Sequence, residues 1–270
     1  EVFKLWAHTL VLFVPFFAGG AFVGMALAWF RAQTGLVYGA NMVGSGLGGV
    51  SGVLLAFFVA PYLMPVVLSV LGVGALVAWV AAWPRERGRP PTGTAVLFPA
   101  AGAAAVAIGL LIPVSSSVDQ YKPMAHALRL SEQGDAKHLE RTFGPRAQID
   151  VFDVPSMHHT LFAKPTAPAP PAQLSLFLDA AHAGAIFRVD RAEDAEVLHH
   201  VAQALAYRVT ERPRVLILGE QTGVNAWMAL AHGAREVTVV QANPQLIETI
   251  RKVRGPNASV FDHQAVRVVQ

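Results

Sequence analysis

The distribution of apolar and polar positions divides the chain near residue 114. Before that point, apolar residues form four long runs at about 5–30, 36–60, 62–83 and 94–114. No acidic residue, lysine or arginine interrupts any of them. Since a helix needs ~20 apolar residues to cross a bilayer, the pattern predicts a membrane α-helical bundle of about four transmembrane helices within residues 1–114.

Shorter periods follow in residues 115–207, which we assign to a juxtamembrane helix and a small β domain. Apolar residues at helical spacing predict the helix at 121–130, and two-residue alternation predicts strands. These strands are expected at 148–154, 174–178 and 185–189, and a further amphipathic helix is expected at 192–207.

The last segment, residues 208–270, has the element order of an α/β protein. Strands are predicted at 214–218, 236–240 and 266–269, with helices between them at 224–232 and 245–254. Short links between such elements indicate a parallel, right-handed βαβαβ unit, which is a partial Rossmann-like domain. Its first strand would expose an apolar edge, so we expect either further chain or another subunit to cover that edge.

The distribution of charged residues bears on the partners and the location of the protein. Of 21 basic and 18 acidic residues, 16 of each sign follow residue 114, so the net charge of +3 lies in the apolar part. That placement is typical of membrane flanks and argues against a nucleic-acid partner. Arg31 follows the first apolar run, and the arginines at 85, 87 and 89 lie between the third and fourth runs. These two loops would lie on the same side of a membrane. The positive-inside rule then predicts a protein integral to a bacterial-type inner membrane, with the polar domain on the periplasmic face.

Two further observations concern partners and metals. Gly44, Gly48 and Gly52 recur every fourth residue, which favours close helix packing in lipid and contact with other membrane-protein subunits. The chain has no cysteine, which excludes disulfides and thiolate metal sites. The histidine pairs 158–159 and 199–200 lack ligand spacing, and no metal site is expected. Asp150, Asp153 and Asp179 are interpreted as solvated strand ends.

Five stretches carry a resemblance to a known family: YKPMAHAL, AQIDVFDVP, LSLFLDA, ALAYRVTERPRVLILG and HGAREVTVVQANPQLIE. In this order the chain resembles the membrane-anchored spermidine-synthase-like proteins. The resemblance implies a multi-span N-terminal region, a small β domain and an S-adenosylmethionine-type Rossmann domain. It also implies a cofactor site at the turn after residue 218 and at the end of the next strand.

The residues at that site depart from the family pattern. Gly219 and Gly223 are kept, but Glu220 and Gln221 stand where the family favours glycine or small residues. Asn225 replaces an acidic or small polar residue, and Gln241 occupies the position of the carboxylate that binds the ribose hydroxyls. An uncharged amide makes weaker hydrogen bonds than a carboxylate. We therefore expect a degenerate site and no bound cofactor, with S-adenosylmethionine or its decarboxylated form as the ligand if the site is active.

The resemblance leaves two functions open. In the family, the catalytic aspartate follows a fourth strand, which would come after Gln270, so no catalytic residue is assigned. The first hypothesis is a non-catalytic integral membrane subunit or scaffold of a larger membrane complex. The alternative is a membrane-anchored aminopropyltransferase or methyltransferase of the S-adenosylmethionine type. A transporter is the weakest hypothesis, because a transport path needs polar or ionisable residues within the membrane and the apolar runs contain few of them.

Overall fold

The computed structural model describes residues 2–81, 118–159 and 162–270, together with Ala100, Ala103 and Ala107. The chain divides into two compact units, Glu1–Ala56 and Phe57–Gln270. The first unit contains helix α1 (Val2–Trp29), a 3-10 turn (Arg31–Gln33) and helix α2 (Thr34–Leu55). In the second unit, the 3-10 turn Pro61–Leu63 leads into helix α3 (Met64–Ala81).

The prediction of a membrane α-helical bundle is wrong. Among the residues that the structure describes, no helix has both the length and the apolarity needed to cross a bilayer. Helix α1 covers nearly all of the run at 5–30, whereas α2 ends at Leu55 within the run at 36–60 and α3 has 18 residues. The run at 94–114 lies outside the described residues except for three alanines. The predicted location in an inner membrane, with a periplasmic polar domain, is contradicted by the same finding.

An antiparallel sheet with covered faces forms the first half of the polar region. Helix α4 (Met124–Gln133) precedes strands β1 (Lys137–Phe143), β2 (Gln148–Asp153), β3 (Gln173–Leu178) and β4 (Ala181–Phe187), which pair in that order. Ile149 and Leu176 face the main core, whereas Phe152 and Phe177 pack against Met124 of α4 on the opposite side. Because side chains alternate between two covered faces, β2 and β3 are buried along most of their length.

The segment predicted as one helix at 192–207 instead forms two 3-10 segments, Ala192–His200 and Ala202–Arg208. Val201 between them is extended and forms a bridge with Ala163. The backbone carbonyl of His200 accepts from the N–H of Lys164 at 3.0 Å, and Ala202 donates to the carbonyl of Phe162 at 3.0 Å. These backbone groups bind a neighbouring loop and are therefore not available for a continuous α-helix.

The βαβαβ prediction for the last segment is confirmed. Strands β5 (Arg214–Leu218), β6 (Glu236–Val240) and β7 (Val266–Val269) alternate with helices α5 (Val224–Ala231) and α6 (Pro244–Arg254), and form a parallel sheet in the order β5-β6-β7. Val237 and Val239 are fully buried in a core shared with the antiparallel sheet. On β5, however, Leu216 is 62% and Leu218 is 72% exposed. The expected apolar edge is therefore present in the described chain.

Candidate functional site

The turn between β5 and α5 depends on two glycines with left-handed backbone. Gly219 has φ +73° and Gly223 has φ +89°. A Cβ atom at Gly223 would lie 2.6 Å from Cγ1 of Val260, whereas one at Gly219 would meet nothing within 4 Å. Gly223 is thus required both by its backbone conformation and by close packing, and Gly219 by its conformation alone. The N–H of Gly219 donates to the carbonyl of Val240 at 2.9 Å, which fixes the turn to β6.

Glu220 folds back into this turn and occupies its backbone donors. It is 2% exposed, and its Oε1 accepts hydrogen bonds from the N–H of Thr222 at 3.0 Å and of Gly223 at 2.7 Å. Amides at the start of a helix are where anionic ligand groups bind in nucleotide-binding folds. In this chain a side chain of the turn itself takes two of them. The other oxygen, Oε2, is buried and has no hydrogen-bond partner within the described part of the chain.

Gln241, at the end of β6, is likewise engaged inside the protein. Its Nε2 donates to the backbone carbonyl of Glu220, and its Oε1 accepts from the N–H of Asn243 at 2.9 Å. The residue is only 8% exposed. The position expected to bind ribose hydroxyls therefore has its acceptor and a donor already used to hold the turn.

A cavity of about 170 Å³ lies beside the turn. Four of the six predicted site residues line it, and the antiparallel sheet and its loops contribute others; the lining includes Gly219, Glu220, Gln221, Asn225, Thr222, His159 and Gly184. Gly223 and Gln241 are not among the lining residues. Binding sites for molecules of cofactor size measure roughly 300–1,000 Å³. The volume of this cavity lies below that range.

The sequence analysis did not predict that residues of the antiparallel sheet line this cavity. A Cβ atom at Gly184, whose φ is +137°, would lie 3.0 Å from Cγ2 of Thr222. Strand β4 therefore approaches the turn closely. The rings of His159 and His182 lie 5.0 Å apart, and burial, followed by the charge of His159, lowers the pKa of His182 below its ordinary 6.5. The sequence analysis placed Gly184 just before the predicted strand at 185–189, whereas it lies within β4 (Ala181–Phe187), where a glycine indicates a close backbone approach.

The aromatic residues near the turn form a second small group. Tyr207 stacks on His232 with ring centroids 5.2 Å apart, and His199 lies edge-on to His232 at 4.6 Å. Burial, followed by the negative charge of Glu220, raises the pKa of Tyr207. Among the residues that the structure describes, no group of three or more histidine, aspartate or glutamate side chains is placed to hold a metal ion.

Asp150 is not the solvated strand end that the sequence suggested. It has no exposed surface and accepts hydrogen bonds from His138 at 2.9 Å, Arg141 at 2.6 Å and Gln148 at 2.6 Å. Burial acts to raise the pKa of Asp150, but these three hydrogen bonds outweigh burial and hold the pKa below its ordinary 3.8. Because one oxygen is engaged by His138 and Arg141 of β1 and the other by Gln148 of β2, the geometry indicates a structural ion-pair network.

Comparison with known proteins gives a limited result. No protein-family model and no curated protein matches the chain. Two solved structures of spermidine synthase, one from Thermotoga maritima and one in complex with the transition-state analogue AdoDATO, each show 15% identity and a TM-score of 0.34. Each match covers 49% of this chain and only 40% of the spermidine synthase chain. The expected resemblance is thus met by weak structural similarity alone, and similarity at this level carries no argument about activity.

Proposed function

We propose that the polar region is a non-catalytic binding or scaffold module whose nucleoside site is filled by its own side chains. The observation that carries the proposal is the position of the Glu220 carboxyl group on the amides of Thr222 and Gly223. A cofactor would have to displace a buried, doubly hydrogen-bonded group. Each hydrogen bond to a charged group contributes about 1.5–3 kcal/mol, so this displacement opposes binding strongly.

The open side of the parallel sheet supports a role in binding another polypeptide. Leu216 and Leu218 are mostly exposed on β5, which is an edge strand of its sheet. Parallel sheets are normally covered on both faces, and an apolar strand edge is a template for pairing with further chain. We propose that another protein subunit contacts this edge.

The test of the ligand proposal is calorimetry of the full-length chain with S-adenosylmethionine and with its decarboxylated form. We expect no heat from the parent protein at millimolar ligand. A double variant, Glu220→Gly with Gln241→Glu, removes the internal group and restores a carboxylate at the end of β6. This variant is expected to bind measurably. If neither protein binds, the proposal that Glu220 prevents cofactor binding is contradicted.

The subunit proposal is tested by affinity purification of the full-length chain from its native source. Leu216→Asp places a charge on the exposed edge, and Tyr121→Asp, at a residue that is 85% exposed elsewhere, is the matched control. Loss of one co-purifying protein in the first variant alone supports the proposal. Identical sets of co-purifying proteins in parent and both variants would contradict it.

A second function, an aminopropyltransferase or methyltransferase of the S-adenosylmethionine type, is favoured by one observation. Oε2 of Glu220 is buried without a partner among the described residues, and Glu220 lines the small cavity beside the turn. A donor group of a ligand would satisfy that oxygen. Micromolar binding by the parent that Gly219→Val abolishes, and that Gly233→Val preserves, would show that the site binds the cofactor, and transfer of an aminopropyl or methyl group to an amine would then establish this alternative. Gly233 is the suitable control because its φ of +74° matches the +73° of Gly219.

A further inference from the structure

A larger cavity lies elsewhere on the antiparallel sheet, at the end where β2 and β4 finish and β3 begins. It has a volume of about 310 Å³, which reaches the range of small-molecule sites. It shares no lining residue with the cavity beside the Glu220 turn.

Gln173, the first residue of β3, lines this cavity with a buried donor that lacks a partner. The residue is 8% exposed, and its Oε1 accepts a hydrogen bond from the backbone N–H of His159 at 3.1 Å. Because a backbone N–H can only donate, this contact fixes which end of the amide is the oxygen. The opposite end, Nε2, is buried and has no hydrogen-bond partner in the described chain. The cavity lining therefore includes a residue whose buried N–H donor has no acceptor in the described chain.

Arg188 brings a positive charge to the same cavity. Its Nη1 donates to Oδ2 of Asp153 at 3.0 Å, and its side chain is 46% exposed. A guanidinium carries five N–H donors in one plane, so the Asp153 contact orients the group and leaves donor capacity for a second partner. His158, on the exposed turn after β2, adds a further polar group to the lining.

We propose that this cavity binds a small carboxylate, whose oxygens accept hydrogen bonds from Nε2 of Gln173 and from the guanidinium of Arg188. A carboxylate fits because it is planar, offers two acceptor oxygens and matches the guanidinium fork. The flanking residues Val154, Pro155, Met157 and Ala172 suit an apolar body behind the carboxylate. The site is independent of the function proposed for the turn.

The experiment is saturation-transfer NMR on the full-length chain with acetate as the probe. Acetamide serves as the uncharged analogue of the same shape, and inorganic phosphate as a second oxyanion. We expect a saturable acetate signal, and at least tenfold weaker binding of acetamide. Absence of acetate binding at tens of millimolar would overturn the proposal. Binding of phosphate in preference to acetate would overturn the assignment to carboxylates.

Variants locate the bound acetate. Gln173→Glu keeps an acceptor for the His159 N–H but converts the free donor into an acceptor, and Arg188→Gln removes the positive charge at a half-exposed position. Each is expected to weaken acetate binding at least tenfold. Gln203→Glu, at an exposed position outside the cavity, makes the same charge change as Gln173→Glu and should bind like the parent. Equal acetate binding by the parent, Gln173→Glu and Arg188→Gln would show that the acetate lies elsewhere.

Discussion

Oε1 of Glu220 accepts a hydrogen bond from the backbone N–H of Gly223 at 2.7 Å. The two residues are three positions apart, so the carboxyl group reaches over the turn to the start of α5. The same oxygen also accepts from Thr222 at 3.0 Å, and Gln241 holds the carbonyl of Glu220 from the next strand. Glu220 thus acts as an internal ligand of the turn.

Truncation of Glu220 should therefore destabilise the protein as well as open the site. Glu220→Ala leaves the amides of Thr222 and Gly223 without their acceptor, and an unsatisfied buried donor costs about 1–3 kcal/mol. We expect a loss of this size in the free energy of unfolding, measured by urea denaturation. Gln221→Ala, at the exposed neighbouring position, should change stability by no more than ~0.5 kcal/mol. Equal effects of the two substitutions would show that the Glu220 contacts contribute nothing.

The Asp150 network should make stability depend on pH in the acidic range. Asp150→Asn keeps the shape but places an amide donor against the donors of His138, Arg141 and Gln148. Breaking a buried charge pair costs about 3–5 kcal/mol, and we expect a loss near the lower end. Urea denaturation at neutral pH measures it.

The sign of the pH effect follows from the lowered pKa of Asp150. Since the unfolded chain binds a proton more readily than the folded one, the stability from Asp150 is present above an unfolded pKa of about 3.9 and is lost as pH falls through the folded pKa. The parent should therefore lose stability more steeply below about pH 4 than Asp150→Asn does. Parallel stability profiles for the two proteins would contradict the network.

Most strands and helices after residue 120 could be predicted from the sequence because they have a clear apolar period. Strands β5 and β6 were placed at their observed bounds, Arg214–Leu218 and Glu236–Val240. Strand β1 was missed because its residues, KHLERTF, are mostly polar. Its polar side chains are accounted for by tertiary contacts, since His138 and Arg141 bind Asp150 and Glu140 pairs with Lys252.

The position of the candidate site in the chain could be predicted, but the orientation of its side chains could not. The strand–turn–helix pattern is enough to place Gly219, Glu220 and Gly223 in the turn. That Glu220 turns inward depends on the distance to two backbone amides, which no pattern of residue types contains. Gln173 gave no sign at all, because a glutamine that opens a strand is ordinary until its amide nitrogen is found buried. The prediction of membrane spans failed for a different reason, because no helix in the described part of the chain has both the length and the apolarity to cross a bilayer.

His182 should produce a second pH dependence, at higher pH than Asp150. Burial and then the nearby His159 lower the pKa of His182, so the unfolded chain binds this proton more readily. Stability from this source is present above an unfolded pKa of about 6.5 and is lost as pH falls below that value. His182→Gln should therefore reduce the loss of stability between about pH 7 and pH 5. His199, whose pKa burial and His232 also lower, contributes in the same direction, so only part of the slope should disappear. Thermal denaturation at a series of pH values measures this dependence. The same slope of stability against pH in the parent and in His182→Gln would contradict the assignment.

Gly144 and Gln245 should be energetically coupled across the junction of the antiparallel sheet and α6. Nε2 of Gln245 donates to the carbonyl of Phe143 at 3.0 Å, and a Cβ atom at Gly144 would overlap Oε1 of Gln245. Gly144→Ala must therefore displace the Gln245 side chain and break its hydrogen bond, at a cost of about 0.5–1.5 kcal/mol. In the background of Gln245→Ala that obstacle is absent, and the alanine at position 144 should be nearly neutral. A double-mutant cycle by urea denaturation should give a coupling of about 1 kcal/mol, whereas two costs that add within ~0.3–0.5 kcal/mol would show that the two residues do not interact.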